Sequence, residues 1–168
     1  RLVVAQELRQ PLEELFDEFD SEPVASASIA QVHRARLHDG TPVAVKVQRP
    51  DIEERIRSDI HILFRLAEAL EGSLKNVGMY PPTAIIQEFE RAVSSELDFL
   101  QEAHNAEVFR RNLAGVEGVR VPSVHRRYSS HRVLTLQWLD GTKLADAKNV
   151  DPQAFMDRVV AATYQQVF

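Results

Sequence analysis

Val43, Val45 and Val47 alternate with Ala44, Lys46 and Gln48. A period of two places the valines on one face of a strand and a lysine on the other. Gln31 to Leu37 has the same character, and His38-Asp39-Gly40 between the two segments is a turn signal, so the pair predicts a hairpin whose second strand ends at Pro50. Upstream, Pro23 to Ala27 reads as extended. Before that, Leu12, Leu15, Phe16 and Phe19 follow Pro11 at the offsets of one helical face, with proline suited to the first turn. Downstream the period lengthens. Asp51 with Glu54 three residues later is an acidic variant of the capping box, and Ile52, Ile56, Ile60, Leu63, Leu66, Ala67 and Leu70 continue at helical spacing to a break at Gly72. Pro81-Pro82 opens a second long helix, whose stripe of Ile86, Phe89, Val93, Leu97, Leu100 and Ala103 predicts continuity to about Leu113. Val121 to Tyr128 and Arg132 to Trp138 read as two strands, closed by an Asp140-Gly141 turn. Asp151-Pro152 starts a last helix carrying Phe155, Val159, Val160 and Tyr164. The predicted order is helix, three strands, two long helices, two strands, helix: an α+β chain with a small antiparallel sheet.

Composition narrows the function classes. At 168 residues and 44% hydrophobic content the chain can build one sizeable core. A formal charge of -5 argues against a dedicated nucleic-acid binder. The absence of cysteine excludes disulfides and thiolate metal sites and is compatible with an intracellular protein. No apolar run approaches membrane-spanning length, and the first residues carry no signal-peptide pattern. An opening at Arg1 and an end at Phe168 within an apparent helix are expected of a piece of a longer protein.

Three groups of residues bear on chemistry. The small-residue stretch Ala25-Ser26-Ala27-Ser28 precedes the hairpin. Phosphate loops generally use glycine, since backbone amides must converge on an anion. No glycine precedes Gly40, so neither the dinucleotide fingerprint nor a Walker loop is present. Alanine and serine still permit a close approach, and Ser26 and Ser28 add hydroxyl donors. Taken alone, the stretch reads first as a plain tight bend before a strand. Secondly, Glu96, Asp98 and Glu102 lie on the second long helix. Asp98 and Glu102, four apart, share a face there, and Glu96 lies on an adjoining one. A carboxylate aimed at Lys46 would hold the ammonium extended toward phosphates, whereas by themselves these acids form a solvated stripe. Thirdly, the six histidines show no zinc spacing, so no metal site is expected from them, and no Gly-x-Ser-x-Gly elbow occurs.

Together these stretches resemble the UbiB/ADCK family of atypical protein-kinase-like proteins. The matching segments are Pro23 to His33, Val43 to Pro50, Ser95 to Phe99 with Glu102 to Ala106, and Val133 to Gly141. The resemblance implies a kinase N-lobe over residues 1–139 with a family-specific helical insert at about 51–113. Residues 140–168 would then be the hinge exit and the first helices of a C-lobe. It implies that Ala25, Ser26, Ala27 and Ser28 cover nucleotide phosphates, that Lys46 contacts them, and that its ion-pair partner is an acid of the second long helix, Glu102 before Glu96. Gln137, Trp138 and Leu139 would offer backbone groups to an adenine ring. Glu96 and Asp98 match a Glu-x-Asp motif that in the family meets a Lys-x-Gly-Gln helix lying across the substrate-docking region.

The resemblance further implies ATP or ADP with magnesium as cofactor, and a role in ubiquinone, related prenylquinone or lipid biosynthesis. The partners would be membrane lipid or quinone-biosynthesis proteins rather than nucleic acid, and the setting an intracellular, peripheral one at the cytoplasmic face of a membrane. Ser26 departs from an all-alanine loop. No Lys-x-Gly-Gln motif, catalytic loop or Asp-Phe-Gly-like metal motif occurs, so the metal ligands are expected elsewhere and these residues alone are expected to lack turnover. Two other readings remain: a non-catalytic regulatory module of kinase-like shape, and a membrane-docking role for the two amphipathic helices.

Overall fold

The computed structural model describes residues 1–74, 81–142, 144–148 and 150–167. Its sheet is built from β1 (Glu18–Phe19), β2 (Ala25–Ser26), β3 (Ala30–Arg36), β4 (Pro42–Gln48) and β5 (Val133–Gln137). All pairings are antiparallel, in the order β1-β3-β4-β5, with β2 also on β3. The β3–β4 hairpin turns at Gly40, which supplies the positive φ of 85° that the turn needs. The Thr41 amide donates to Asp39 Oδ1 at 2.9 Å, and that bond holds the Asp39 carboxyl below its ordinary range. Register places Lys46 between Val32 and Leu134, and Val45 between His33 and Thr135.

The alternation seen in β4 sorts two cores. On the valine face, Val43, Val45 and Val47 join Ala35 and Val133. Two short helices, α1 (Leu2–Leu8) and α2 (Leu12–Leu15), cover that face with Val3, Val4, Leu12 and Leu15. On the lysine face, Ala30 and Leu134 meet Phe99 and Ala103 from helix α5 (Phe99–Asn112). Each fully buried aliphatic or aromatic side chain contributes about 1.5–3 kcal/mol. Sheet and α5 are thus bonded by a compact apolar contact directly beside Lys46.

Four expectations need correction. The helix from Pro11 to Phe19 is one turn only: at Phe16 the backbone becomes extended, and the amides of Asp17 and Asp20 bond to the carbonyls of Arg36 and Arg34. Phe19 is therefore an edge-strand residue, stacked on His33 at 5.1 Å. The first long helix, α3 (Ile52–Leu74), runs through Gly72, a single glycine costing only about 1 kcal/mol in a helix. It is entered through Asp51 at φ 58°, a left-handed geometry that aspartate tolerates better than most residues. The second long helix is two, α4 (Pro82–Leu97) and α5, separated at Asp98. Val121 to Tyr128 is no strand: a single bridge joins Val124 to Leu136, and Arg126–Tyr128 is a 3-10 turn. The closing helix α6 (Pro152–Val167) starts where expected. The first long helix packs on α4, yet α4 buries no residue. Leu66, Leu70 and Ile85 remain more than half exposed.

Candidate functional site

Lys46 leaves β4 on the face that α5 covers. Its ammonium donates to Glu102 Oε2 at 2.5 Å and sits 4.6 Å from the centroid of the Phe99 ring. Phe99 is wholly buried, whereas the side chain of Lys46 keeps 26% of its exposure and that of Glu102 keeps 44%. One turn of α5 separates Phe99 from Glu102, so the same helix supplies a ring face and a carboxylate to one cation. An ammonium has three donors, so Lys46 retains hydrogen-bonding capacity beyond Glu102. Lys46 and Glu102 open onto a cleft of about 360 Å³ that is also lined by Ser95, Glu96, Gln101 and Asn105.

The break at Asp98 decides where the other acids go. Asp98 is in extended backbone (φ -96°, ψ 96°) and caps α5, its Oδ1 accepting from the Leu100 amide at 2.9 Å. The same oxygen lies 2.9 Å from His131 Nδ1. Asp98 and Glu102 accordingly do not share a helical face as the sequence reading expected. Asp98 lines a separate cleft of about 460 Å³ together with Gln48, Arg57, His131 and Arg132. Glu96, exposed at the end of α4, faces the Lys46 cleft instead. Among the described residues, no three His, Asp or Glu side chains gather in a metal-binding arrangement.

Gln48, two residues after Lys46 on the same face, is 2% exposed. Its Nε2 donates to the Leu97 carbonyl at 2.9 Å, and its Oε1 accepts from Arg132 Nε at 3.1 Å. The last carbonyls of a helix lack intrahelical partners, so Gln48 satisfies the end of α4 where the chain turns into α5. The Phe99 amide bonds to the His131 carbonyl at 3.0 Å. Sequence reasoning assigned no role to Gln48, Phe99 or His131. For Gln48 the two-residue offset from Lys46 was the available signal; the others become visible only through tertiary contacts.

Ala25 to Ser28 are all exposed. The bend closes with the Ala27 amide on the Ala30 carbonyl at 2.8 Å, and Arg49 bonds it from the end of β4. At the other end of the sheet, the Gln137 amide donates to the Ser123 carbonyl at 2.8 Å and the Trp138 amide to Pro42 at 3.2 Å. The Leu139 amide has no backbone acceptor among the described residues. Trp138 Nε1 donates to Asp140 Oδ1 at 2.8 Å, and the Arg34 guanidinium lies over its ring. Gln137 and Leu139 also line a cleft of about 840 Å³ with Arg110, Arg111 and Arg120. Beside it, Arg126 and Glu107 form a two-bond ion pair at 2.7 and 2.8 Å, which draws the Glu107 carboxyl below its ordinary value.

The chain as a whole resembles known proteins. The chain is 39% identical to the probable protein kinase UbiB of Xylella fastidiosa, over its whole length and 31% of that protein. An uncharacterised protein of Synechocystis is 40% identical over 89% of the chain and 27% of its own length. The chain therefore spans about a third of the curated relatives it matches. Among solved structures, Rv3197 of Mycobacterium tuberculosis, in complex with erythromycin, superposes with a TM-score of 0.70 at 32% identity. That match covers 86% of this chain and 36% of the other. The family model described as the ABC1 atypical kinase-like domain matches residues 1–168. The α+β architecture, the ordered motifs and these matches agree: the chain belongs to the ABC1 atypical kinase-like family, whose members include UbiB proteins.

Proposed function

We propose that these residues form the ATP- or ADP-binding lobe of a UbiB-type atypical kinase or ATPase. Residues 1–139 are the nucleotide-binding lobe, interrupted by the helices of about 51–113, and residues 140–168 lead into a second lobe. The observation that carries the proposal is the Lys46–Glu102 pair at 2.5 Å, on the inner face of the sheet and backed by the Phe99 ring. An ammonium held by a carboxylate and a ring face is fixed in direction while its remaining donors stay available for phosphate oxygens. Ala25, Ser26, Ala27 and Ser28 supply small side chains and amides above the phosphates, and backbone groups from Gln137 to Leu139 receive the base. With the amides of Gln137 and Trp138 already bonded, the Leu139 amide is the hinge donor in this arrangement. Glu96, facing the Lys46 cleft, and Asp98, turned away from it, divide a regulatory motif between two surfaces.

Magnesium would arrive with the nucleotide. By family its side-chain ligands are expected in other parts of the protein; of the acids near the site, Glu102 is engaged by Lys46 and Asp98 by the cap of α5. By family, the whole protein serves ubiquinone, related prenylquinone or lipid biosynthesis, and turnover requires the second lobe. The test is a nucleotide titration of the full-length protein against its Lys46→Ala variant. Loss of one charge-assisted contact predicts ADP and ATP affinities weaker by about tenfold or more. Equal affinities in the two proteins would remove the site and leave a kinase-shaped binding module.

A further inference from the structure

The bend that joins β2 to β3 contains no glycine, and none of its residues adopts a positive φ. A phosphate loop of this kind cannot turn its carbonyls aside by the usual left-handed backbone step. Its carbonyls must be drawn away by something else, since carbonyl oxygens pointing at an anion repel it. Arg49 does this twice. Its backbone amide donates to the Ile29 carbonyl at 2.9 Å and its Nε to the Ala27 carbonyl at 3.0 Å. The Ala27 amide is used within the bend, on Ala30. What remains at the tip are the amides of Ser28 and Ile29, neither of which has an acceptor among the described residues. The tip thus keeps two donors open, while the carbonyls on either side of Ser28, those of Ala27 and Ile29, are occupied.

The position of Arg49 is itself constrained. Pro50 follows it and disfavours helical backbone at the preceding residue, so the β4 direction persists one residue past Gln48 and presents the Arg49 amide to Ile29. Arg49 is three residues from Lys46, and one strand end therefore fixes both the lysine and the loop. The lysine and the loop cannot shift independently.

We infer that Arg49 is a positioning residue for the phosphates of the nucleotide: it shapes the Ala27–Ile29 bend so that the Ser28 and Ile29 amides stay available as anion donors at a fixed offset from Lys46. The inference rests on the reading of residues 25–28 as the phosphate loop. It is tested on the full-length protein by titrating adenosine, ADP and ATP into wild type, Arg49→Ala and Lys46→Ala, together with amide hydrogen exchange over residues 25–31 without nucleotide. Arg49→Ala is expected to weaken ADP and ATP by about fivefold and leave adenosine unchanged. Exchange should accelerate in the bend and not in α5. Arg49→Lys, which keeps the charge but loses the guanidinium geometry, should still show the faster exchange. Unchanged exchange in Arg49→Ala would overturn the inference, and so would ADP affinity that falls in Lys46→Ala but not in Arg49→Ala. An equal loss for adenosine would also overturn it, by pointing to general loosening of the lobe. If wild type takes up no nucleotide and Lys46→Ala behaves identically, the phosphate reading fails instead, and the exchange result still decides whether Arg49 shapes the bend.

Discussion

Asp98 spends one carboxylate oxygen on two partners, the Leu100 amide and the His131 ring. It caps α5 at the turn that carries Phe99 and Glu102, so its loss is felt at the Lys46 pair as well as at the helix end. Asp98→Ala is expected to destabilise the protein by about 1 kcal/mol, read as a lower midpoint in urea. Asp98→Asn, which keeps an acceptor for Leu100, should recover most of the difference. The valine alternation set the face on which Lys46 lies, but by itself it gave only an ordinary strand lysine; the small-residue stretch, the acids of the later helix and the family resemblance made it a candidate. Its partner was not legible in that way. Glu102 sits among several acids, and only the family resemblance preferred it. Phe99 entered only as the end of the Ser95–Phe99 match and lay off the apolar stripe, so nothing in the sequence hinted that its ring faces a cation.

The α4–α5 break shows what periodicity cannot see. Phe89, Val93, Leu97, Leu100 and Ala103 keep helical spacing through Asp98, with no glycine or proline to interrupt them. The interruption is tertiary. Gln48 takes the Leu97 carbonyl, and the His131 carbonyl takes the Phe99 amide. Gln48→Leu would leave the half-buried Leu97 carbonyl and Arg132 without that partner, and should cost about 1–2 kcal/mol in urea unfolding. It should also weaken the proposed nucleotide binding, because the end of α4 sets the start of α5. The missing strand at Val121–Tyr128 has a similar cause. Val121, Val124 and Tyr128 fall three and four apart rather than alternating, and after the His125 amide bonds to the Thr135 carbonyl the chain winds into the 3-10 turn, with the Thr135 hydroxyl on the Tyr128 carbonyl. The short helix after Pro11 failed because pairing with β3 won over a helical pattern only two turns long.

Covering the sheet on both faces, by α1 and α2 on one and α5 on the other, makes the lobe depend on how well α5 is fastened. Besides Phe99 and Ala103, the fastening includes the Glu107–Arg126 pair, which ties α5 to the 3-10 turn. Glu107 has a depressed folded-state pKa, so its contribution is present above its ordinary value of 4.5 and is lost as pH falls through the lower, folded one. Glu107→Gln should therefore lower the melting temperature at neutral pH, and the gap to wild type should shrink as pH falls below 4.5 and through the lower, folded value. A gap that stayed constant with pH would show that the pair contributes nothing through its charge. Both matters converge on Phe99 and Ala103, each with no exposed surface. Any outward rotation of α5 that parted Glu102 from Lys46 would carry that ring and methyl into water, at a penalty on the order of 3 kcal/mol. Fewer than about one molecule in a hundred would then visit the parted state unaided. A compound designed to pry this helix open would have to bring a hydrophobic wedge of its own to fill the space the ring leaves behind.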